Sequence, residues 1–131
     1  MKTFTFEYPV RHDDLDFMAI IGNAEWITIL TRARIDLLDS IQYPITRMIQ
    51  ERIGGVVSEM NVKYLNPARF GDSLKVVITP TSQFAKGLVL NYSVENQKNE
   101  VCLVAVITII FINHEAKTVE MPEMIRQKLF D

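Results

Sequence analysis

The sequence predicts an α+β domain in which one antiparallel sheet of five strands wraps around a single long central helix. Three observations carry this. A short alternating stretch precedes one long segment with apolar residues at helical spacing, and from Val56 onward the chain reads almost wholly as strands. The connections between the last three strands are too short to hold a crossover helix, so these strands form an antiparallel meander. The helix is apolar over so much of its surface that other structure must enclose it, and a curled, twisted sheet does so.

The first strand follows from residues 2–11, where Phe4, Phe6, Tyr8 and Val10 alternate with Thr3, Thr5, Glu7 and Pro9. One face is therefore buried, and Pro9 marks an edge or a strand end. Residues 11–39 begin as an acidic loop containing His12, Asp13, Asp14 and Asp16, which feeds directly into the helix. At about 100° per residue, Glu25, Arg32, Asp36 and Asp39 share one stripe. Ile20, Ala24, Trp26, Ile27, Leu30, Ala33, Ile35, Leu37 and Leu38 cover nearly all the rest. Asn23 and Arg34 break the pattern, pointing onto the face of Ile27, Leu30 and Leu38. A guanidinium so placed snorkels or pairs with a structural Asp.

Tyr43 and Pro44 stop the helical pattern, a short helix follows over residues 45–52, and Gly54 and Gly55 break it. Strands are expected over 56–65, 73–79, 88–95 and 101–113, separated by turn-rich pieces at 66–72, 80–87 and 96–100. Residues 122–130, with proline at the first turn, read as a short C-terminal helix. Five strands of this length cannot cover the helix alone and leave long edges exposed, so a homodimer or homotetramer is expected.

Composition narrows the function. A chain of 131 residues, 48% apolar and 23% charged, is one soluble globular domain, and a formal charge of −2 gives no support for binding nucleic acid or an anionic membrane. The alternating N-terminus is neither a signal peptide nor a span, and the longest apolar run, 101–112, is too short to cross a bilayer. The single cysteine, Cys102, allows no internal disulfide, which points to the cytoplasm, and its apolar setting makes it an inert core thiol.

Only two histidines, His12 and His114, are available to a triad, and no nucleophile elbow or phosphate-binding loop is present. The spacing of His12, Asp13, Asp14 and Asp16 matches no zinc or calcium signature, so no metal is expected. What remains is a carboxylate at the mouth of a helix. There, unpaired N–H groups and the helix dipole favour the anionic form and can also polarise a substrate carbonyl. Spacing alone favours reading Asp14 or Asp16 as an N-cap or turn residue.

Residues 13–38 resemble the opening motif of hotdog-fold acyl-CoA thioesterases of the 4-hydroxybenzoyl-CoA thioesterase type. The matching positions are Asp14, Asp16, Asn23, Ala24, Trp26, Ala33 and Arg34. Residues 62–76 are similar to the family's second motif through Tyr64, Pro67, Ala68, Gly71 and Asp72. The resemblance implies a hotdog fold with active sites at a dimer interface, acyl-CoA as the substrate, and no cofactor beyond the coenzyme A that the substrate carries. It implies thioester hydrolysis by Asp16, as nucleophile or as general base, with Asp14 and Arg34 as structural support. Asn23, Gly54, Gly55, Arg69 and Lys86 become candidates for substrate binding, the glycines as oxyanion donors and the two cations for coenzyme A phosphates.

Three positions depart from the family pattern. Ala19 stands where a glycine is usual and narrows the room beside Asp16. Ile20 stands where a histidine or aliphatic residue occurs, and Gly22 lacks a side chain that could orient substrate. These departures motivate an alternative, a non-catalytic hotdog module that binds an acyl thioester or a partner protein. A hotdog dehydratase or hydratase using His12 is a third expectation.

Overall fold

The alternation at the N-terminus becomes strand β1 (Phe4–Pro9) in the computed structural model, which describes residues 1–131. Tyr8 and the adjacent Val10 are buried, while Thr5, Glu7 and Pro9 face outward. A 3₁₀ turn (His12–Asp14) and an irregular loop lead to helix α1 (Asn23–Ser40), then to a short helix α2 (Ile45–Glu51). Strands β2 (Ile53–Tyr64), β3 (Ser73–Phe84), β4 (Gly87–Glu95) and β5 (Val101–Asn113) follow, and helix α3 (Glu123–Phe130) closes the chain. The strands form one sheet in the order β1-β3-β4-β5-β2, antiparallel throughout. The expected meander is therefore present as β3-β4-β5, with β1 and β2 added at its two edges.

α1 packs Trp26, Ile29, Leu30, Ala33 and Leu37 against the inward residues of the sheet, among them Val76, Ile78, Leu90, Leu103 and Ile107. Burying each large side chain of this set is worth about 1.5–3 kcal/mol, so this interface dominates the core. The enclosure is less complete than the apolar pattern predicts. Ile27, Ile35 and Leu38 are only half-buried and Ala24 is exposed.

Three local expectations are corrected. Ile20 is not helical: it forms a β-bridge with Arg69, and Ile21 bridges Leu15, so α1 starts only after the extended Gly22. Gly54 and Gly55 do not end α2. Arg52 does so in a left-handed conformation (φ 59°), and both glycines lie inside β2. Residues 80–84 are not a turn but extend β3, because a register shift between Pro80 and Ser82 lets the strand carry a proline without a ladder donor.

Candidate active site

The acidic loop is folded by its own backbone. Asp16 donates its N–H to Ile20 O (2.8 Å), and Ala19 N–H returns to Asp16 O (3.0 Å), which makes a tight turn with Phe17 and Met18 at the tip. Ala19 occupies the left-handed region (φ 60°), so the position that usually holds glycine needs glycine's freedom here as well. The methyl group points to solvent and does not crowd Asp16. The turn is pinned to the segment before β3, where Ile21 N–H meets Ala68 O at 2.9 Å and Ile20 bridges Arg69. That segment is shaped by Asp72, whose carboxylate accepts Arg69 N–H (2.9 Å) and Gln97 Nε2–H (2.9 Å). Burial raises the Asp72 carboxyl, but these two donors, together with the charges of Lys98 and Arg69, outweigh it and hold the group below its usual value.

Asp16 is half-buried, and its Oδ1 accepts Met18 N–H (2.8 Å) while Oδ2 has no partner in the chain. Its side chain lies against Gly22, the residue that precedes α1: a Cβ built on Gly22 would stand 3.4 Å from Asp16 Cβ and would collide with Glu25 Oε1. Gly22 offers no capping side chain, and its own N–H goes to Asp14 O (3.2 Å). The first helical amides, of Asn23, Ala24 and Glu25, are thus left unpaired in the turn that follows Gly22, against which the Asp16 side chain lies.

Asp14 sits deeper. It is 8% exposed, accepts Tyr8 O–H at 2.9 and 3.0 Å and Arg11 N–H at 2.8 Å, and has no open side. The Tyr8 hydroxyl is pushed up by burial and then by this carboxylate. Arg32 Nη1 also reaches Tyr8 Oη (3.3 Å), so β1, the loop and α1 converge on one phenol.

Asn23 departs from its expected place: it is exposed at the start of α1, and its Oδ1 accepts the Tyr64 hydroxyl from the end of β2. Together with Ile20, Trp26, Leu65 and Pro67 these two side chains line an open cleft of about 440 Å³ next to the loop. Arg34 is half-buried but meets no carboxylate. Its only hydrogen bond goes to Tyr92 Oη on β4 (3.1 Å), and it lines a small apolar cavity of about 50 Å³ with Gly55, Leu90 and Ile109. It therefore braces helix against sheet rather than the loop.

The remaining candidates split by location. Arg69 belongs to the Asp16 end of the molecule, exposed and with its side chain free. Gly54 and Gly55 lie at the opposite end of β2 from Tyr64, roughly 30 Å away at the rise of an extended strand. Lys86 is at that far end too, in the β3–β4 turn, with Nζ 3.3 Å from Thr118 Oγ1. Within one protomer these three residues do not meet Asp16. His12 is exposed and stacks on Phe70 (centroids 3.6 Å apart). Cys102 is buried in β5, its thiol pushed up by burial and then by Asp72 and Glu100.

Sequence reasoning did not single out Glu25 or Tyr64 as site residues. Tyr64 was visible in the second motif, and Glu25 stood on the charged stripe, but only the fold brings them to the loop.

A five-stranded antiparallel sheet wrapped on one long helix, with an acidic turn at the helix mouth, defines a hotdog domain. The chain belongs to the thioesterase-like superfamily, whose family model matches residues 10–129. It is 31% identical over 101 residues to the acyl-CoA thioester hydrolase YbgC of Escherichia coli O157:H7 and of Shigella flexneri, covering 76% of this chain and 75% of theirs. Among solved structures it resembles Slr0204, a 1,4-dihydroxy-2-naphthoyl-CoA thioesterase from Synechocystis. The TM-score is 0.92 at 20% identity, over 99% of this chain and 97% of that one. SAV2348 from Staphylococcus aureus, solved in complex with CoA, superposes with a TM-score of 0.90 at 16% identity, over 97% of this chain and 81% of its own. No helix of the chain is long and apolar enough to cross a membrane.

Proposed function

We propose that this protein is an acyl-CoA thioesterase in which the Asp16 carboxylate attacks the thioester, directly or through water. The observation that carries the reading is the pairing at the mouth of α1, where a half-buried carboxylate with one free oxygen lies against an uncapped helix start. A thioester carbonyl is electrophilic and a thiolate leaves readily, so a base and a few oriented N–H donors suffice. The amides of Asn23, Ala24 and Glu25 would stabilise the negative charge that develops on the carbonyl oxygen, and collapse of that intermediate would expel the coenzyme A thiolate. The kinship with YbgC supports this reaction class. No cofactor is required beyond the coenzyme A carried by the substrate.

The complete site would draw on two protomers. β2 pairs only with β5, leaving its other edge open, and Val56, Val57 and Tyr64 along it are 39–51% exposed. An antiparallel, two-fold pairing of β2 with its copy would bring the partner's Gly54 end to the Tyr64 end of the first protomer. Gly54, Gly55 and Lys86 would then join Asp16, Asn23 and Arg69 across the seam, the two cations within reach of coenzyme A phosphates. A homodimer is the minimal active unit, and a homotetramer is compatible with it. We place the protein in the cytoplasm, since its one cysteine is buried and unpaired.

Thiol release from a panel of short, long and aromatic acyl-CoAs tests the proposal. Turnover by the natural sequence and none by Asp16→Asn, with unchanged circular dichroism, is the expected result; full turnover by the variant removes Asp16 from the mechanism.

A further inference from the structure

Tyr64 is the last residue of β2, and the backbone that carries it is tied to β5. It pairs with Leu103, and the next two amides, of Leu65 and Asn66, both donate to Cys102 O (2.9 and 3.2 Å). The Asn66 side chain adds a bond from Nδ2 to Val101 O (2.7 Å). From this fixed base the Tyr64 hydroxyl crosses to the start of α1 and donates to Asn23 Oδ1. A carboxamide carries an acceptor on one branch and two donors on the other. With Oδ1 engaged, the Asn23 amide cannot turn over without giving up this bond, and its Nδ2 is left with no partner in the chain. The two side chains line the cleft of about 440 Å³, whose other walls are mainly apolar, with Ile20, Leu65 and Pro67 beside the buried Trp26. The cleft adjoins the Asp16 turn: Ile20 on its wall accepts the Asp16 N–H (2.8 Å), and Asn23 follows Gly22, against which the Asp16 side chain lies. In such a site a few placed polar groups orient a ligand that the apolar walls merely hold. The one acceptor that every acyl thioester brings at its reacting carbon is the carbonyl oxygen.

We infer that Tyr64 is a positioning residue for thioester hydrolysis: its hydroxyl fixes the Asn23 carboxamide so that Nδ2 donates to the carbonyl oxygen of an acyl group seated in the cleft. The inference rests on the thioesterase reading and adds a side-chain donor to the backbone amides assigned to that oxygen. Attack on the acyl carbon moves the carbonyl π electrons onto the oxygen, and a donor held in place beforehand stabilises this charge without having to reorganise. Asn23 is the residue that touches the substrate, and Tyr64 acts through it. Without the hydroxyl, the Asn23 side chain would spread over its rotamers and present either branch of its amide to the cleft.

The test compares Tyr64→Phe, Asn23→Ala, Asn23→Asp and the Tyr64→Phe/Asn23→Ala double variant with the natural sequence in steady-state hydrolysis of the best acyl-CoA of the panel. Both positions are exposed, and circular dichroism, Tm and sedimentation serve as controls of folding and assembly. Asn23→Ala is expected to lower kcat about a hundredfold and Tyr64→Phe about tenfold, with KM within about twofold in both. The double variant is expected to be no slower than Asn23→Ala alone, because Tyr64 then has nothing to orient. Asn23→Asp keeps an acceptor for the Tyr64 hydroxyl but has no donor, so it is expected to keep its Tm and fall to the activity of Asn23→Ala. A bond that only braces β2 against α1 gives the reverse, a lower Tm with unchanged kcat in Tyr64→Phe and full activity in Asn23→Asp, and either result overturns the inference. Losses that multiply in the double variant overturn it too, since the two residues then act separately. In all these cases turnover by the natural sequence leaves the hydrolase reading standing. Absence of thiol release by the natural sequence overturns that reading itself, and the inference with it.

Discussion

At the scale of the residue, the loop before α1 combines one strained position with one saturated carboxylate. Ala19 keeps a left-handed backbone that costs an L-residue about 1–2 kcal/mol, offset in part by the entropy that a glycine would lose on folding. Ala19→Gly should therefore stabilise the protein by about 0.5–1 kcal/mol and raise Tm by a few degrees in thermal denaturation. Because the methyl group is exposed, kcat should change little. Asp14 is the opposite case. Its carboxylate satisfies the Tyr8 hydroxyl and the Arg11 amide at once, so Asp14→Ala should cost about 2 kcal/mol by leaving both donors without their partner. Chemical denaturation would show this as a lower midpoint, with Asp16 chemistry lost only as far as the turn loosens.

At the scale of the element, two helices are tied down by tyrosines. Arg34 on α1 reaches Tyr92 on β4, whose hydroxyl burial pushes up and Arg34 draws down. Arg34→Met should cost about 1–2 kcal/mol because it orphans that hydroxyl, and adding Tyr92→Phe should recover part of the loss; equal losses in the single and double variants would show that the bond is not what the arginine supplies. α2 is held by Tyr43, which is buried, donates to Glu51 and lies under the Arg47 guanidinium (4.4 Å from the ring centroid). Burial and then the Glu51 hydrogen bond raise the Tyr43 hydroxyl from 10.0 to about 12. The folded chain thus holds this proton more tightly than the unfolded chain. The stability it contributes is complete below pH 10 and is lost as pH climbs through about 12. Denaturation midpoints should fall over this window, and Tyr43→Phe should flatten the fall.

At the scale of the whole molecule, the proposed two-protomer site turns on the separation of Gly54, Gly55 and Lys86 from Asp16 within one protomer. Gly54 has room for a side chain, its nearest neighbour being Met48 Sδ at 4.0 Å, so Gly54→Val can alter the site without disturbing its own protomer. If the partner's Gly54 faces Asp16, this variant should slow turnover. Mixing it with Asp16→Asn after subunit exchange should restore about a quarter of the natural activity, because half of the dimers then carry one intact site of two. No recovery in mixed dimers would place both residues in one protomer's site or leave Gly54 outside it. Sedimentation should also show a species of at least twice the 15.1 kDa chain mass.

The order of elements, the antiparallel meander and the burial of alternate strand residues were legible in the sequence, because each rests on local periodicity, turn chemistry or connection length. The Asp16 turn was legible too, through its motif. Only the tertiary structure decided where α1 begins, since the bridge from Ile20 to Arg69 outweighs the helical spacing of Ile20. It also decided that Asn23 meets Tyr64, that Arg34 meets Tyr92, and that Glu25 takes the space left by Gly22. These are contacts between residues distant in sequence, or rotamer choices made by the space available, and neither leaves a periodic trace along the chain. What a sequence determines by itself is which faces must be buried; what fills a given gap is settled when the faces close.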